Sequence, residues 1–245
     1  MNNSVDFSVI IPAYNEQVLI GDTLENIFLR FNEINDLNGE IIVVDNNSTD
    51  KTSEIAKSKG AIVIFEPINQ ISKARNIGAG KANGRYLFFV DADTRLPKHL
   101  LSYVLDKLNT DSISGGGATL VFDNHQNKFF FGLVVPMIWK IISKTFRLAA
   151  GSFIFCRKDF FEQIGGFSEN LFAGEEIHFS QQYKKICRKH HKSFRIISKF
   201  PVITSSRKIS WFNPFKLLLA IFIPILFPWA LKSRKMCWFW YKRPD

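Results

Sequence analysis

The chain has 245 residues, of which 46% are hydrophobic, and this predicts a globular protein of one large domain or one and a half. The polar first residues predict that no secretion signal is present, and three widely spaced cysteines fit a reducing cytosol rather than a disulfide scaffold. The net charge of +10 is uneven, because residues 1–180 contain 17 Lys and Arg against 21 Asp and Glu, whereas residues 181–245 contain 15 against one. This asymmetry predicts a polyanionic partner for the C-terminal part.

The first hundred residues alternate between apolar runs typical of buried strands and segments with helical periodicity. Strands are predicted at Phe7–Pro12, Glu40–Val44, Ala61–Phe65 and Tyr86–Val90. Helices are predicted at Glu16–Phe31, through Ile55 and Ala56, and from about Ser72 to Ala82. Strands that alternate with helices at this spacing predict an α/β fold, with a doubly wound, mostly parallel sheet between two layers of helices.

The pattern changes after Leu108. Gly115–Gly117 leads into a predicted strand at Ala118–Phe122. A second predicted strand, Gly151–Cys156, precedes a short helix from Lys158. This part of the chain predicts a smaller, mixed continuation of the sheet that supplies the binding surface for a second substrate.

Polar residues follow three of the predicted strands. Pro12–Glu16 ends the first strand, Asp45–Asn47 ends the second, and Asp91–Asp93 ends the fourth. In open α/β sheets, ligands bind at the carboxyl ends of the strands, near the point where the strand order reverses. These strand ends therefore predict one binding site rather than three unrelated turns.

Asp91 and Asp93 follow a strongly apolar strand, and strand alternation points both carboxylates to the same side. Two carboxylates this close repel each other, and each loses hydration when it leaves water. One interpretation is that the strand simply ends and Asp93 starts a turn toward a helix that Pro97 opens. The other is that a divalent cation lies between the carboxylates, together with the oxygens of a phosphorylated ligand.

Five segments occur in a characteristic order: SVIIPAYNE, VVDNNSTDKT, ARNIGAGKANGRYLFFVDAD, IGGF and GEEIHFS. Together they resemble family 2 glycosyltransferases of the GT-A fold, over roughly residues 7–210. The resemblance implies a Rossmann-like GT-A domain at 1–210, with a nucleotide half at about 1–110 and an acceptor half at about 111–210. It also implies a metal-dependent enzyme that uses Mg²⁺ or Mn²⁺ and moves a sugar, with inversion, from a nucleotide-diphosphate donor to a hydroxyl acceptor.

The resemblance further implies roles for individual residues. The implied nucleotide-binding residues are Pro12, Ala13, Tyr14, Glu16, Asp45, Arg75, Asp91 and Arg207. The implied metal ligands are Asp93 and Asp91, and a cation there would offset the charge that develops on the departing nucleoside diphosphate. Arg207 lies in SSRKISW and not in the Q-x-x-R-W motif of processive synthases, which favours transfer of a single sugar.

In the family, an acidic pair, usually Glu-Asp, precedes a helix and supplies the catalytic base. Here the pair is Glu175–Glu176, so Glu176 takes the position of the base that removes the acceptor's proton. Glu is one methylene longer than Asp, which leaves the choice between Glu175 and Glu176 open. His178 replaces a further acidic residue of the family, and its spacing from Glu175 is interpreted as a surface pair rather than a metal motif.

Residues 211–245 are predicted to form a basic, aromatic and apolar tail. Leu217–Leu231 has no charge over fifteen residues, which as a helix is about 22 Å, shorter than the roughly 30 Å hydrocarbon core. Pro224 and Pro228 would kink a helix there, and basic and aromatic residues flank it. With a second apolar stretch at Phe129–Ile142, the tail predicts a protein attached peripherally to the cytoplasmic face of the membrane. The alternative is a C-terminal helix that covers the core.

The predicted partners are therefore a nucleotide-diphosphate sugar, a hydroxyl acceptor that is lipid-linked or membrane-bound, and an anionic membrane surface. The predicted setting is the synthesis of a cell-surface glycan or glycolipid. A nucleic-acid partner is disfavoured, because the basic tail also contains the long apolar run. The alternative function is a catalytically inactive, membrane-associated nucleotide-sugar-binding protein, which the presence of acidic residues at both the metal and the base positions disfavours.

Overall fold

The computed structural model describes residues 4–123 and 135–242. The strands among these residues are β1 Phe7–Ala13, β2 Gly39–Asp45, β3 Ile62–Phe65, β4 Tyr86–Val90, β5 Thr94–Arg95, β6 Gly115–Phe122, β7 Phe153–Arg157 and β8 Phe194–Thr204. They form one sheet in the order β3-β2-β1-β4-β7-β6-β8-β5.

The described helices are α1 Ile20–Phe31, α2 Thr52–Ser58, α3 Ile71–Lys81, α4 Leu100–Asn109, α5 Val135–Phe146, α6 Lys158–Gln163, α7 Glu175–Lys189, α8 Arg207–Ser210, α9 Pro214–Leu226 and α10 Trp238–Tyr241. A 3₁₀ helix, Pro228–Lys232, lies between α9 and α10.

The first half of the sheet is parallel and covered on both faces. β3, β2, β1 and β4 pair in parallel in that order. Alternate side chains of β1 lie on opposite faces of the sheet. Val9 and Ile11 pack with α1, α2 and α4 on one face, whereas Ile10 packs with α3, α6 and α7 on the other. The doubly wound α/β fold predicted from the sequence is therefore confirmed.

The second half of the sheet is mixed. β7 runs antiparallel to both β4 and β6, whereas β6 pairs in parallel with β8. The β6–β8 pairing shifts register between Ala118 and Leu120. Close approach of the strands requires glycine at position 116, because a Cβ on Gly116 would lie 1.8 Å from the carbonyl oxygen of Arg195.

Two helices begin later in the chain than the sequence predicts. α1 begins at Ile20 rather than Glu16, and Asn15 before it has a left-handed φ of 51°. α4 begins at Leu100 rather than at Pro97, because His99 also has a left-handed φ, of 64°. The residues between the end of β1 and the start of α1 therefore form a non-helical turn at the carboxyl end of β1.

The C-terminal segment packs against the rest of the chain. Phe212 and Leu217 form a small buried cluster with Trp238 packed against it. Further along, the backbone N–H of Phe172 donates to the carbonyl oxygen of Leu231 at 2.7 Å. The end of the described chain is thus held against the loop that precedes α7.

Apolar side chains remain exposed on α5 and α9. Met137 and Ile141 of α5 are 62% and 58% exposed, and Phe215 and Leu226 of α9 are 69% and 66% exposed. Part of the predicted apolar stretch Phe129–Ile142 lies outside the described residues. Within residues 4–123 and 135–242, no helix combines the length and the apolar character needed to cross a membrane.

Candidate active site

A pocket of about 380 Å³ opens at the carboxyl ends of β1 and β4, between them and the start of α7. It brings together many of the residues that the sequence singles out for nucleotide, metal and catalysis. These are Pro12, Ala13, Tyr14, Glu16, Arg75, Asp91, Asp93, Glu175 and Glu176. The predicted site residues therefore converge from four separate parts of the chain.

Asp45 and Arg207 are not among the residues that line this pocket. Asp45 is buried at the end of β2, where its Oδ1 accepts a hydrogen bond from the backbone N–H of Ser48 at 3.0 Å. Its carboxylate therefore stabilises the turn after β2. Arg207 forms an ion pair with the buried Glu16 and lies 5.3 Å from the ring centre of Trp211. Arg207 thus contacts the pocket through Glu16.

Arg75 is a buried cation at the centre of the site. Its Nη1 donates to Oε1 of Glu175 at 2.7 Å, and its Nη2 donates to Oδ1 of Asp91 and to the carbonyl oxygen of Gly151, both at 3.1 Å. Burial lowers the pKa of Arg75, but the negative charges of Asp91 and Glu175 outweigh this and leave the pKa above its ordinary value. A charged guanidinium therefore joins α3, the end of β4 and the start of α7.

Glu175 and Glu176 are adjacent but lie in different environments. Glu175 is 4% exposed and is paired with Arg75. Glu176 lines the pocket and keeps part of its surface exposed. Burial of the Glu176 carboxyl, together with the negative charge of Glu175, raises the pKa of Glu176 to about 8, although the charge of Arg75 opposes this. Glu176 can therefore gain or lose a proton near neutral pH.

The start of α7 holds this acidic pair in place. Gly174 caps the helix with a left-handed φ of 71°, a conformation that glycine adopts without strain. Glu175 and Glu176 occupy the first turn, where the helix dipole favours negative charge. Phe179 and Tyr183, one and two turns further on, are fully buried in the core. The position of the pair relative to the sheet is therefore fixed by packing.

The turn from Asp91 to Asp93 is fixed from two sides. Arg75 binds the Asp91 carboxylate, as described above. On the other side, Thr204 Oγ1 lies 3.4 Å from Asp93 Oδ1, and the backbone N–H of Ser205 donates to the carbonyl oxygen of Asp93 at 3.2 Å. The two carboxylates are thus positioned by different elements, Asp91 by α3 and Asp93 by the end of β8.

Asp91 and Asp93 are the residues that would hold a Mg²⁺ or Mn²⁺ ion, together with a phosphorylated ligand. Asp91 and Asp93 both line the pocket and supply the hard oxygen ligands that these ions prefer. Among the described residues, no group of three or more His, Cys, Asp or Glu side chains could hold a metal by itself. Mg²⁺ ordinarily binds through one or two carboxylates together with substrate phosphates and water, so a pair of aspartates is sufficient.

Sequence reasoning did not single out several other residues that line the pocket, namely Asn69, Ser152, Thr204, Trp240 and Tyr241. The two aromatic residues belong to the predicted tail, and their composition alone gives no signal about which surface they cover. His178, in contrast, is not among the lining residues, and its Nε2 lies 3.3 Å from Nε2 of Gln182 on the same helix.

Solved structures share this fold. The mannosyltransferase PcManGT from Pyrobaculum calidifontis, in complex with GDP-Man and Mn²⁺, aligns with a TM-score of 0.67 and 17% identity, over 96% of this chain and 64% of that one. S. aureus TarS in complex with UDP-GlcNAc aligns with a TM-score of 0.63 and 18% identity, over 82% of this chain and 59% of that one. The fold is therefore of the GT-A type.

The family model for glycosyl transferase family 2 matches residues 8–165. The chain belongs to the family 2 glycosyltransferases, which confirms the resemblance found in its motifs. The GalNAc(5)-diNAcBac-PP-undecaprenol beta-1,3-glucosyltransferase of Campylobacter jejuni is 30% identical over 205 residues. That alignment covers 79% of this chain and 64% of the relative, so the chain spans less than two thirds of the relative's length.

The raised pKa of Glu176 predicts a pH-dependent cost to stability. Folding raises this pKa from 4.5 to about 8, so the folded state binds the proton more tightly and the free energy of unfolding falls as pH rises through that range. The variant Glu176→Gln removes the ionisation. We expect the Tm of the variant to match that of wild type near pH 4.5 and to exceed it above pH 8. Each kcal/mol gained in the free energy of unfolding would raise the Tm by about 2–4 °C.

The matched control is Glu162→Gln, because Glu162 is a carboxylate on α6 whose side chain is 64% exposed. Thermal unfolding of the three proteins across this pH range measures the difference. Parallel Tm curves for Glu176→Gln and wild type would contradict the raised pKa of Glu176.

Proposed function

We propose that this protein is an inverting glycosyltransferase that moves one sugar from a nucleoside-diphosphate donor to a hydroxyl acceptor. The observation that carries the proposal is that Glu176 lines the same pocket as Asp91 and Asp93. One pocket thus offers both a proton acceptor and ligands for a diphosphate-bound cation. Membership of the glycosyltransferase family supports this assignment.

The donor's nucleoside would lie against Pro12–Tyr14, at the end of β1, with its diphosphate directed toward Asp91 and Asp93. A bound Mg²⁺ or Mn²⁺ would offset the negative charge that develops on the leaving diphosphate. Asp45 would act indirectly, since it stabilises the turn beside this strand end. Arg207 would act through its ion pair with Glu16, which orients both side chains next to the nucleotide.

Glu176 is the proposed general base. In a single displacement, the acceptor's hydroxyl oxygen forms a bond to the anomeric carbon as the bond from that carbon to the diphosphate oxygen breaks. The hydroxyl proton passes to the Glu176 carboxylate, and the electron pair leaves with the nucleoside diphosphate. A base with a pKa near the working pH is efficient in such a transfer. Glu175 cannot take this role while Arg75 holds its carboxylate at 2.7 Å, so its proposed role is to position the start of α7.

We also propose that the acceptor is lipid-linked and that the protein attaches to the cytoplasmic face of an anionic membrane. The exposed apolar residues of α5 and α9 support this proposal. The charge after position 180 also supports it, because residues 181–245 contain 15 basic residues and one acidic residue. The Campylobacter relative is, by its name, a glucosyltransferase for an undecaprenol-linked glycan. Such an acceptor belongs to cell-surface glycan or glycolipid synthesis.

Donor binding and sugar transfer test the proposed function together. Calorimetry with UDP, GDP and dTDP sugars, with and without Mn²⁺, measures binding, and labelled sugar recovered in polyprenyl-diphosphate glycans measures transfer. We expect Asp93→Ala to abolish metal-dependent donor binding. We expect Glu176→Gln to bind donor like wild type but to transfer sugar about 10²–10⁴ times more slowly.

Glu162→Gln is again the matched control and should leave binding and transfer unchanged. Full transfer by Glu176→Gln would contradict the base assignment. Donor binding by wild type without transfer to any acceptor, and without slow hydrolysis of the donor, would instead support the inactive nucleotide-sugar-binding alternative.

Membrane attachment is tested by flotation with vesicles of phosphatidylcholine, alone or mixed with phosphatidylglycerol. We expect binding to the anionic vesicles that weakens with salt, and a loss of about tenfold in affinity for Phe215→Glu, because an apolar side chain no longer enters the lipid. Val18→Glu is the control, since Val18 is 73% exposed but lies in the nucleotide half. Equal effects of the two substitutions would contradict a membrane-facing α9.

A further inference from the structure

The C-terminal segment returns to the pocket. Trp240 and Tyr241 line it together with Arg75, Glu175 and Glu176. Both aromatic residues lie well beyond the segment that the family model matches, residues 8–165. They belong to the C-terminal segment that is called here the C-terminal strap and is defined as residues 228–241.

The strap is attached to the loop that carries the acidic pair. The backbone N–H of Phe172 donates to the carbonyl oxygen of Leu231 at 2.7 Å, and the Phe172 ring packs edge-on against Tyr241 with ring centres 5.9 Å apart. Leu231 also lies over Gly174, where an added Cβ would approach the leucine side chain to 3.6 Å. The strap and the residue that caps α7 are therefore packed as one unit.

The two aromatic residues differ in what they offer to a ligand. Tyr241 is 8% exposed, and burial, together with the negative charge of Glu175, raises its pKa above the ordinary value, so the phenol stays neutral. Trp240 keeps part of its surface exposed. Its ring packs edge-on against Phe239 at 5.3 Å, and Phe239 in turn packs on Phe212 at 5.5 Å. Trp240 is thus a supported aromatic surface at the wall of the pocket.

An aromatic surface beside carboxylates suits a sugar ring. A pyranose presents an apolar face of C–H groups and a rim of hydroxyls, so an indole ring can cover the face while charged and polar groups bind the rim. The strap contacts the loop before α7 and also the start of α3, where the backbone N–H of Ile71 donates to the Tyr241 hydroxyl at 3.5 Å. Trp240 therefore lines the same pocket as the acidic pair, on a wall that the strap supplies.

We propose that Trp240 and Tyr241 form a sugar-ring subsite, in which Trp240 covers the apolar face of a hexose and Tyr241 holds the strap in place. The subsite rests on the proposed glycosyltransferase function and adds a specificity-determining contact to it. The hexose is either the donor's sugar or the sugar at the reactive end of the acceptor, and the experiment separates these two sources.

The test compares Trp240→Ala, Trp240→Phe and wild type. Calorimetry with Mn²⁺ gives the Kd of a nucleoside diphosphate and of the matching nucleotide sugar, and the transfer assay gives the KM of the acceptor. We expect Trp240→Ala to leave the Kd of the nucleoside diphosphate unchanged. A donor-sugar contact would weaken nucleotide-sugar binding about tenfold, and an acceptor contact would instead raise the acceptor KM about tenfold. Trp240→Phe should recover most of either loss.

Trp229→Ala is the matched control, because Trp229 is a strap residue that is 62% exposed and not among those lining the pocket. It should leave the Kd of the nucleoside diphosphate and the Kd of the nucleotide sugar unchanged, and circular dichroism should show that every variant is folded. A folded Trp240→Ala with wild-type constants would overturn the subsite, and so would an equal loss of affinity for the nucleoside diphosphate. Wild-type protein that binds no nucleotide sugar would overturn the proposed function itself and the subsite with it.

Discussion

The site depends on one buried cation. A guanidinium removed from water is costly unless its charge is balanced, and the charge of Arg75 is balanced by Asp91 and Glu175. Its Nη1 and Nη2 donate to these two carboxylates and to the carbonyl oxygen of Gly151, whereas its buried Nε has no hydrogen-bond partner among the described residues. Removing the guanidinium would leave the buried Glu175 carboxylate without its ion-pair partner. The end of β4, the start of α7 and Gly151 in the turn before β7 are therefore held to α3 by the same group, and their relative positions are fixed.

This arrangement gives two adjacent carboxylates different properties. Glu175 forms an ion pair with Arg75, so its negative charge stays close to Glu176 and helps to raise the pKa of Glu176 to about 8. The pair therefore works as a unit, in which the first residue fixes the helix and the second can exchange a proton with a ligand in the pocket. A carboxylate pair at a helix start also benefits from the helix dipole, which offsets part of its mutual repulsion.

The sequence predicts the parallel half of the sheet and the residues at its strand ends, because buried strands and turn residues leave local patterns. It does not predict β8, since Phe194–Thr204 contains Pro201 and alternates only irregularly between buried and exposed residues. It also does not predict that Arg75 reaches Glu175, a contact across one hundred positions of the chain. The tail illustrates the same limit, because apolar and aromatic residues look alike in sequence whether they face lipid, as proposed for Phe215, or a pocket, as Trp240 does.

The role of Arg75 is tested most directly by the transfer rate of Arg75→Lys. Lysine keeps the positive charge, but its single ammonium group cannot reproduce the planar fork that binds Asp91 and Glu175 at once. If Arg75 sets the position of the base relative to the donor, the variant, shown to be folded by circular dichroism, will transfer sugar about 100-fold more slowly than wild type at saturating donor. A folded Arg75→Lys protein with the wild-type transfer rate would contradict this account.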